Sequence, residues 1–464
     1  MSKRIGLALG IILVAGIVLF VLMRGDLLRN NEAGRTTARE PQADAQAPAP
    51  DLNQQRRAAA QKGEADGSVD ANPVPAEMLD GALESATANI EVPKGIRSHQ
   101  IPQDNGLHWF LLAAELMPQV PWDVVNDILE KGWRDNADIL NLLDRCQPAF
   151  EAIHKGIEVG NVSFPPAGLD EPCPYASDWR TLARLMVAEA LMQGSRGNYA
   201  AALDELADVY DFGAESGRGP LIMHMVGCTM QHYGAKPLCD MLRSPGVSAE
   251  QCRAIIKRIE AADARQPRIA EGILADADMY EHSLQSSSPE ELHALLLMQT
   301  QYDGDWTKFA KSTTAEQCKK WYSQMPAAIR AAAPLFEAPV YEFKKDALQW
   351  FVSTNPLTER FIADYYKMPE MEARGKALRS GPMLVAAIEA YRHENGSYPD
   401  LLDSLAPSVL EELPNDPFTG SPFHYQRQGN RYRLYSAGVN MREDGGRAKP
   451  WDAKEDDYVI VDRQ

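Results

Sequence analysis

Oxygen-bearing groups crowd the end of this chain. Residues 435–446 read YSAGVNMREDGG, rich in Gly, Asn and acidic residues. Two adjacent carboxylates, Asp456 and Asp457, follow and lead into the apolar run YVIV. Carbonyl, amide and carboxylate oxygens are the ligands that hard cations take. Adjacent carboxylates repel, so they favour solvent unless something positive sits between them. Asp444 joins the candidate ligands by its spacing alone.

The middle of the chain offers weaker signals. His224, Cys228 and His232 recur every four residues, which puts them on one helical stripe. At the helical rise, the outer two stand roughly 12 Å apart, too far for one ion. A packed helix is therefore the expectation there. Asp276, Asp278, Glu281 and His282 form an acidic run. Paired carboxylates can do acid–base work, but on a helix such a spread usually marks a solvated face. There is no nucleophile elbow, HExxH, phosphate loop or EF-hand spacing. The chain is thus expected to be a binding or structural protein and not an enzyme. The alternative is a hydrolase-type enzyme with its pocket among the helices, using the carboxylates from Asp276 to Glu281.

Residues 101–370 carry the helical period almost throughout. Ile139, Leu142, Leu143, Cys146, Phe150 and Ile153 recur at spacings of three and four. Leu182, Leu185, Met186, Ala190 and Leu191 do the same. Ser248 with Gln251, and Ser288-Pro289 with Glu291, predict capped helix starts. Short turns between such units predict a bundle or solenoid. One unit, GNYAAALDELADVY at 197–210, resembles the second helix of a tetratricopeptide repeat. Gly197, Tyr199, Ala202, Leu203, Leu206 and Val209 carry that likeness, yet one repeat length further on the match is poor. It reads as a helical hairpin of that shape. A cytoplasm-facing scaffold that binds peptides through it is a further alternative.

From about residue 371 the pattern changes. An amphipathic helix ends in NGSYP, PFHYQR and RYRLYSA alternate about a QGN turn, and DYVIVD supplies a third strand. That order predicts a small α+β domain over 371–464. It resembles the globular domain of the type II secretion major pseudopilin, the G-type protein. The likeness rests on Gly396, Tyr398 and Pro399, on Leu413, Pro414, Asp416, Pro417 and Phe418, on Gly420, Pro422 and Tyr425, and on Ser436, Gly438, Asp456 and Asp457. It covers about the last fifth of the chain. The resemblance implies a calcium ion held by the Ala437 carbonyl, Asn440, Asp456 and Asp457. Asn440 stands where the family has an acid, which removes a charge and weakens calcium binding. The loop before Asp456 is longer and carries Lys and Arg, and no prepilin-peptidase signature opens the apolar segment. Processing and polymerisation as a pseudopilin are therefore not expected.

The remaining expectations come from composition. The chain has 464 residues and a formal net charge of -18, which speaks against nucleic-acid binding. Its six cysteines include no C-x-x-C pair, and buried thiols are expected. Ile5 to Met23 is an uncharged apolar run, long enough to span a bilayer. Residues 1–23 read as a single-pass anchor and 24–100 as a disordered linker lacking apolar bulk. Basic residues flank the anchor on both sides, so they do not orient it. The pseudopilin resemblance implies a periplasmic or extracytoplasmic bulk. The overall expectation is a mainly α, membrane-anchored structural or interaction protein of the bacterial envelope, associated with a secretion assembly and with protein partners.

Overall fold

A computed structural model describes residues 95–120, 125, 128, 129, 131–171, 173–300, 304–348, 355–358, 365–446 and 458–461. From 95 onward these belong to one compact unit that includes Pro93–Gln464. The anchor, most of the linker and the Asp456-Asp457 pair lie outside the described residues. Among those described, no helix is long and apolar enough to cross a membrane.

The protein is mainly α, with a small three-strand antiparallel sheet near the C-terminus. The helices are α1 (Gly106–Leu116), α2 (Ala137–Val159), α3 (Tyr175–Ser195), α4 (Tyr199–Ser216), α5 (Leu221–Leu242), α6 (Ala249–Arg265), α7 (Ile269–Ser286), α8 (Pro289–Gln299), α9 (Gly304–Ser312), α10 (Ala315–Ala332) and α11 (Met368–Asn395). The expected starts appear where the caps predicted them. Ser248 and Ser288 accept from the third amide of α6 and α8, while Gln251 and Glu291 reach back to the cap amides. Thr314 and Gln317 form a third such box at α10. Each box satisfies two amides that the helix leaves unpaired.

Periodicity translates into burial. All six apolar residues named on α2 are buried. On α3, Leu182, Leu185, Met186 and Ala190 are buried, whereas Leu191 is only partly so. Helix α3 is covered by α4 and α5, and the fully buried Trp179 donates its indole N–H to the Phe110 carbonyl at 2.8 Å. The hairpin of α3 and α4 turns through Gly197, whose φ of 81° favours glycine. Helices α4 and α5 cross backbone to backbone. A Cβ on Gly227 would lie 2.2 Å from the Gly213 carbonyl oxygen, so no larger residue fits. A second core forms where α7, α8 and α10 pack together.

The sheet has the order β1 (His424–Gln428), β2 (Arg431–Ser436), β3 (Tyr458–Val461). Strands β1 and β2 pair from His424 opposite Tyr435 to Gln428 opposite Arg431. Their two-residue turn, Gly429-Asn430, places glycine first at a φ of 59°. The register between β2 and β3 shifts at Leu434 and Tyr435.

Helix α11 departs from expectation. It was expected to be amphipathic, yet it is buried on most sides between residues 373 and 390. The reason is its position. It packs on α5 and α6, and it also meets the sheet, where a Cβ on Gly381 would touch the Ile460 side chain at 3.0 Å. Small residues such as Ala377, Gly381, Ala386 and Ala387 allow that approach on both sides. Its C-terminus closes on Gly396 with a φ of 74°, the left-handed glycine cap. Apolar residues of α11 and the sheet share one core with those of α1 to α6.

Candidate functional site

The loop after β2 is held from beneath by a buried carboxylate. Asp416 Oδ1 accepts from the Phe418 amide at 2.9 Å and the Ser436 hydroxyl at 2.8 Å. Its Oδ2 accepts from the Ala437 amide at 2.8 Å. Burial pushes the Asp416 pKa up, and those donors pull it back. Above this anchor the loop is exposed. Asn440 Nδ2 donates to Asp444 Oδ2 at 2.7 Å, and Asn440 Oδ1 accepts from the Arg442 amide at 2.9 Å. The Tyr435 hydroxyl donates to Glu443 at 2.7 Å, and Arg433 donates to the Gly445 carbonyl at 3.0 Å.

Of the expected calcium ligands, the structure brings Asn440 and Asp444 together, and it ties the Ala437 amide to Asp416 at the base of the loop. Asp456 and Asp457 lie outside the described residues. The three described groups have the right hard-oxygen chemistry but supply only part of the six to eight oxygens calcium takes. Asn440 turns its amino group toward Asp444, so this geometry is closed by hydrogen bonding within the loop.

The helical carboxylates do not converge. Asp276 accepts from the Leu221 amide at 3.0 Å and the Tyr365 hydroxyl at 3.1 Å, thereby satisfying the first amide of α5. Burial pushes its pKa up to about 7, against the pull of both donors. Asp278 and Glu281 instead face Arg330, at 2.6 and 2.5 Å. A cleft of about 410 Å³ lies between residues 162–175 and α7. It is lined by Phe164, Pro165, Cys173, Arg218, Glu271 and Asp278 among others, with Asp276 and Glu281 outside it.

On the α5 stripe, His224 and Cys228 meet. His224 Nε2 lies 3.7 Å from Cys228 Sγ and 3.2 Å from Glu372 Oε2 of α11. Burial opposes a charge on the imidazole, but Cys228 and Glu372 outweigh it and hold its pKa up to about 10. Burial likewise opposes charge on Glu372, and His224 overrides it, so that carboxyl sits below its usual range. This is an ion pair packed between helices. Nearby, fully covered Arg379 pairs with Asp263 and donates to Gln231 at 3.3 Å. All six cysteines are free thiols, four of them buried.

One cluster was not singled out from sequence. His154 of α2 faces Glu205 and Asp208 of α4, with Nε2 3.3 Å from Glu205 Oε2 and 3.4 Å from Asp208 Oδ2. Glu205 beside it favours the charged imidazole and Asp208 adds to this, whereas burial pushes the Glu205 pKa up. Arg258 of α6 donates to Asp208 Oδ1 at 2.7 Å. Glu205 and Asp208 stand at i and i+3 on one helix face, a visible signal. The histidine opposite them becomes visible only when α2 packs on α4.

No protein family, no curated protein and no solved structure matches this chain.

Proposed function

We infer that the chain is a membrane-anchored structural or interaction protein of the bacterial envelope. In this reading a pseudopilin-like helix-and-sheet unit is set into an all-α body, braced by calcium at its last loop and associated with a secretion assembly. The observation that supports it most is the double burial of α11, which packs on α5 and α6 and also meets the sheet. A helix covered on both sides has no face left for stacking on copies of itself. The unit then acts as a fixed cap on the helical body and leaves the body's surface for partners. The pairing of Asp276, Asp278, Glu281 and Glu372 with neighbouring groups favours this non-catalytic role.

Two measurements test it. A topology reporter fused after Gln464 should be active on the outer side of the cytoplasmic membrane; activity on the cytoplasmic side would reverse the orientation and favour the peptide-binding scaffold. Calcium should raise the melting temperature of the full chain and a chelator should lower it. That response should vanish when Asp444, Asp456 and Asp457 are all replaced by Ala. A wild-type melting temperature indifferent to both additions removes the calcium brace.

A further inference from the structure

We propose that His154, Glu205 and Asp208 form a binding site for a first-row divalent cation of the zinc class. The three ligand atoms all lie within 4.8 Å of one another. The imidazole Nε2 stands 3.3 and 3.4 Å from the two facing carboxylate oxygens. Ligands bound tetrahedrally to zinc at about 2.0–2.2 Å are separated from each other by roughly 3.3–3.5 Å. Two of the three separations found equal the edge of such a tetrahedron, and the third is within 4.8 Å.

A second observation points the same way. His154 Nε2 and Glu205 Oε1 are both covered from solvent; Glu205 Oε1 has no hydrogen-bond partner, and Nε2 has only its long contacts to the two carboxylates within the cluster. Buried polar atoms are nearly always satisfied, and a covered carboxylate oxygen left without a donor beside a loosely held imidazole marks a missing partner. That partner must be positive, since two of the three groups are carboxylates. It must also accept an imidazole nitrogen, which favours zinc, cobalt or nickel over calcium and magnesium.

The surroundings suit such an ion. Arg258 binds Asp208 through Oδ1, leaving Oδ2 to face His154, the outer support that orients a ligating carboxylate. Three protein ligands leave a fourth position for water or another donor. Cys228, the half-buried thiol on α5, plays no part in the cluster.

The full chain, kept in excess calcium to occupy any hard-oxygen site, is titrated with cobalt(II) and zinc(II). Visible absorption and calorimetry should report one ion per chain, with ligand-field bands of a four-coordinate nitrogen-and-oxygen site and no thiolate charge-transfer band. Glu205→Gln preserves shape and should weaken binding at least tenfold, His154→Ala should abolish it, and Cys228→Ser should leave it unchanged. Circular dichroism monitors folding, and the wild-type spectrum decides the question even if a variant unfolds. Absence of saturable binding overturns the proposal and leaves an imidazolium–carboxylate pair. A thiolate band, or equal affinity in His154→Ala and wild type, overturns it as well.

Discussion

The Ala437 amide donates to the buried carboxylate of Asp416 across 21 positions of sequence, nitrogen to oxygen 2.8 Å. With the Ser436 hydroxyl and the Phe418 amide on the other oxygen, Asp416 locks the end of β2 to the turn before β1. The loop expected to coordinate calcium thus starts from a point already fixed by the protein itself.

Asp416→Ala should therefore destabilise the chain by about 2–4 kcal/mol, because it strands the Ala437 and Phe418 amides in a buried setting. Ser436→Ala removes one donor to the carboxylate and the acceptor of the Gly438 amide, so its cost should be smaller, about 1–2 kcal/mol. Urea denaturation of the full-length variants measures both. Equal, small effects would show that the loop is held elsewhere.

Asp276 gives a pH dependence with a defined sign. Burial raises its folded pKa from 3.8 to about 7, so the folded chain holds this proton more tightly than the unfolded one. Its contribution to stability is complete below 3.8 and is lost as pH rises through 7. Asp276→Asn has no proton to lose and can still accept from the Leu221 amide. Melting curves between about pH 5 and 8 should show the variant gaining on wild type as pH rises. A constant gap would mean that Asp276 stays charged in the folded state.

The α4–α5 crossing predicts a contrast between two glycines. Gly227→Ala pushes a methyl group to 2.2 Å from the Gly213 carbonyl oxygen, backbone that cannot swing aside. The helices must separate, at a cost of about 3 kcal/mol or more. Gly197→Ala meets nothing within 4 Å and costs only the strain of its positive φ, about 1–2 kcal/mol. Denaturant midpoints of the two variants should rank in that order; a milder Gly227→Ala would mean that the crossing can relax.

Much of the fold was legible because its causes are local. The apolar stripe of α2 and the capping boxes at Ser248 and Ser288 each lie within a few residues of the element they specify. The Gly429-Asn430 turn and Gly396 as a left-handed cap are equally local. The Thr314–Gln317 box carries the same local signal.

What sequence alone determined about this protein is thus its succession of helices, its final three strands and the places where the chain turns. These follow from periodicity, capping and glycine conformation over one or two turns. Only the tertiary structure decided which polar groups meet. It turned Asp276 toward Leu221 and Tyr365 while Asp278 and Glu281 went to Arg330. It buried α11 on both sides, and it set His154 against Glu205 and Asp208. Such pairings depend on the packing of helices far apart in sequence, and no local pattern encodes that distance.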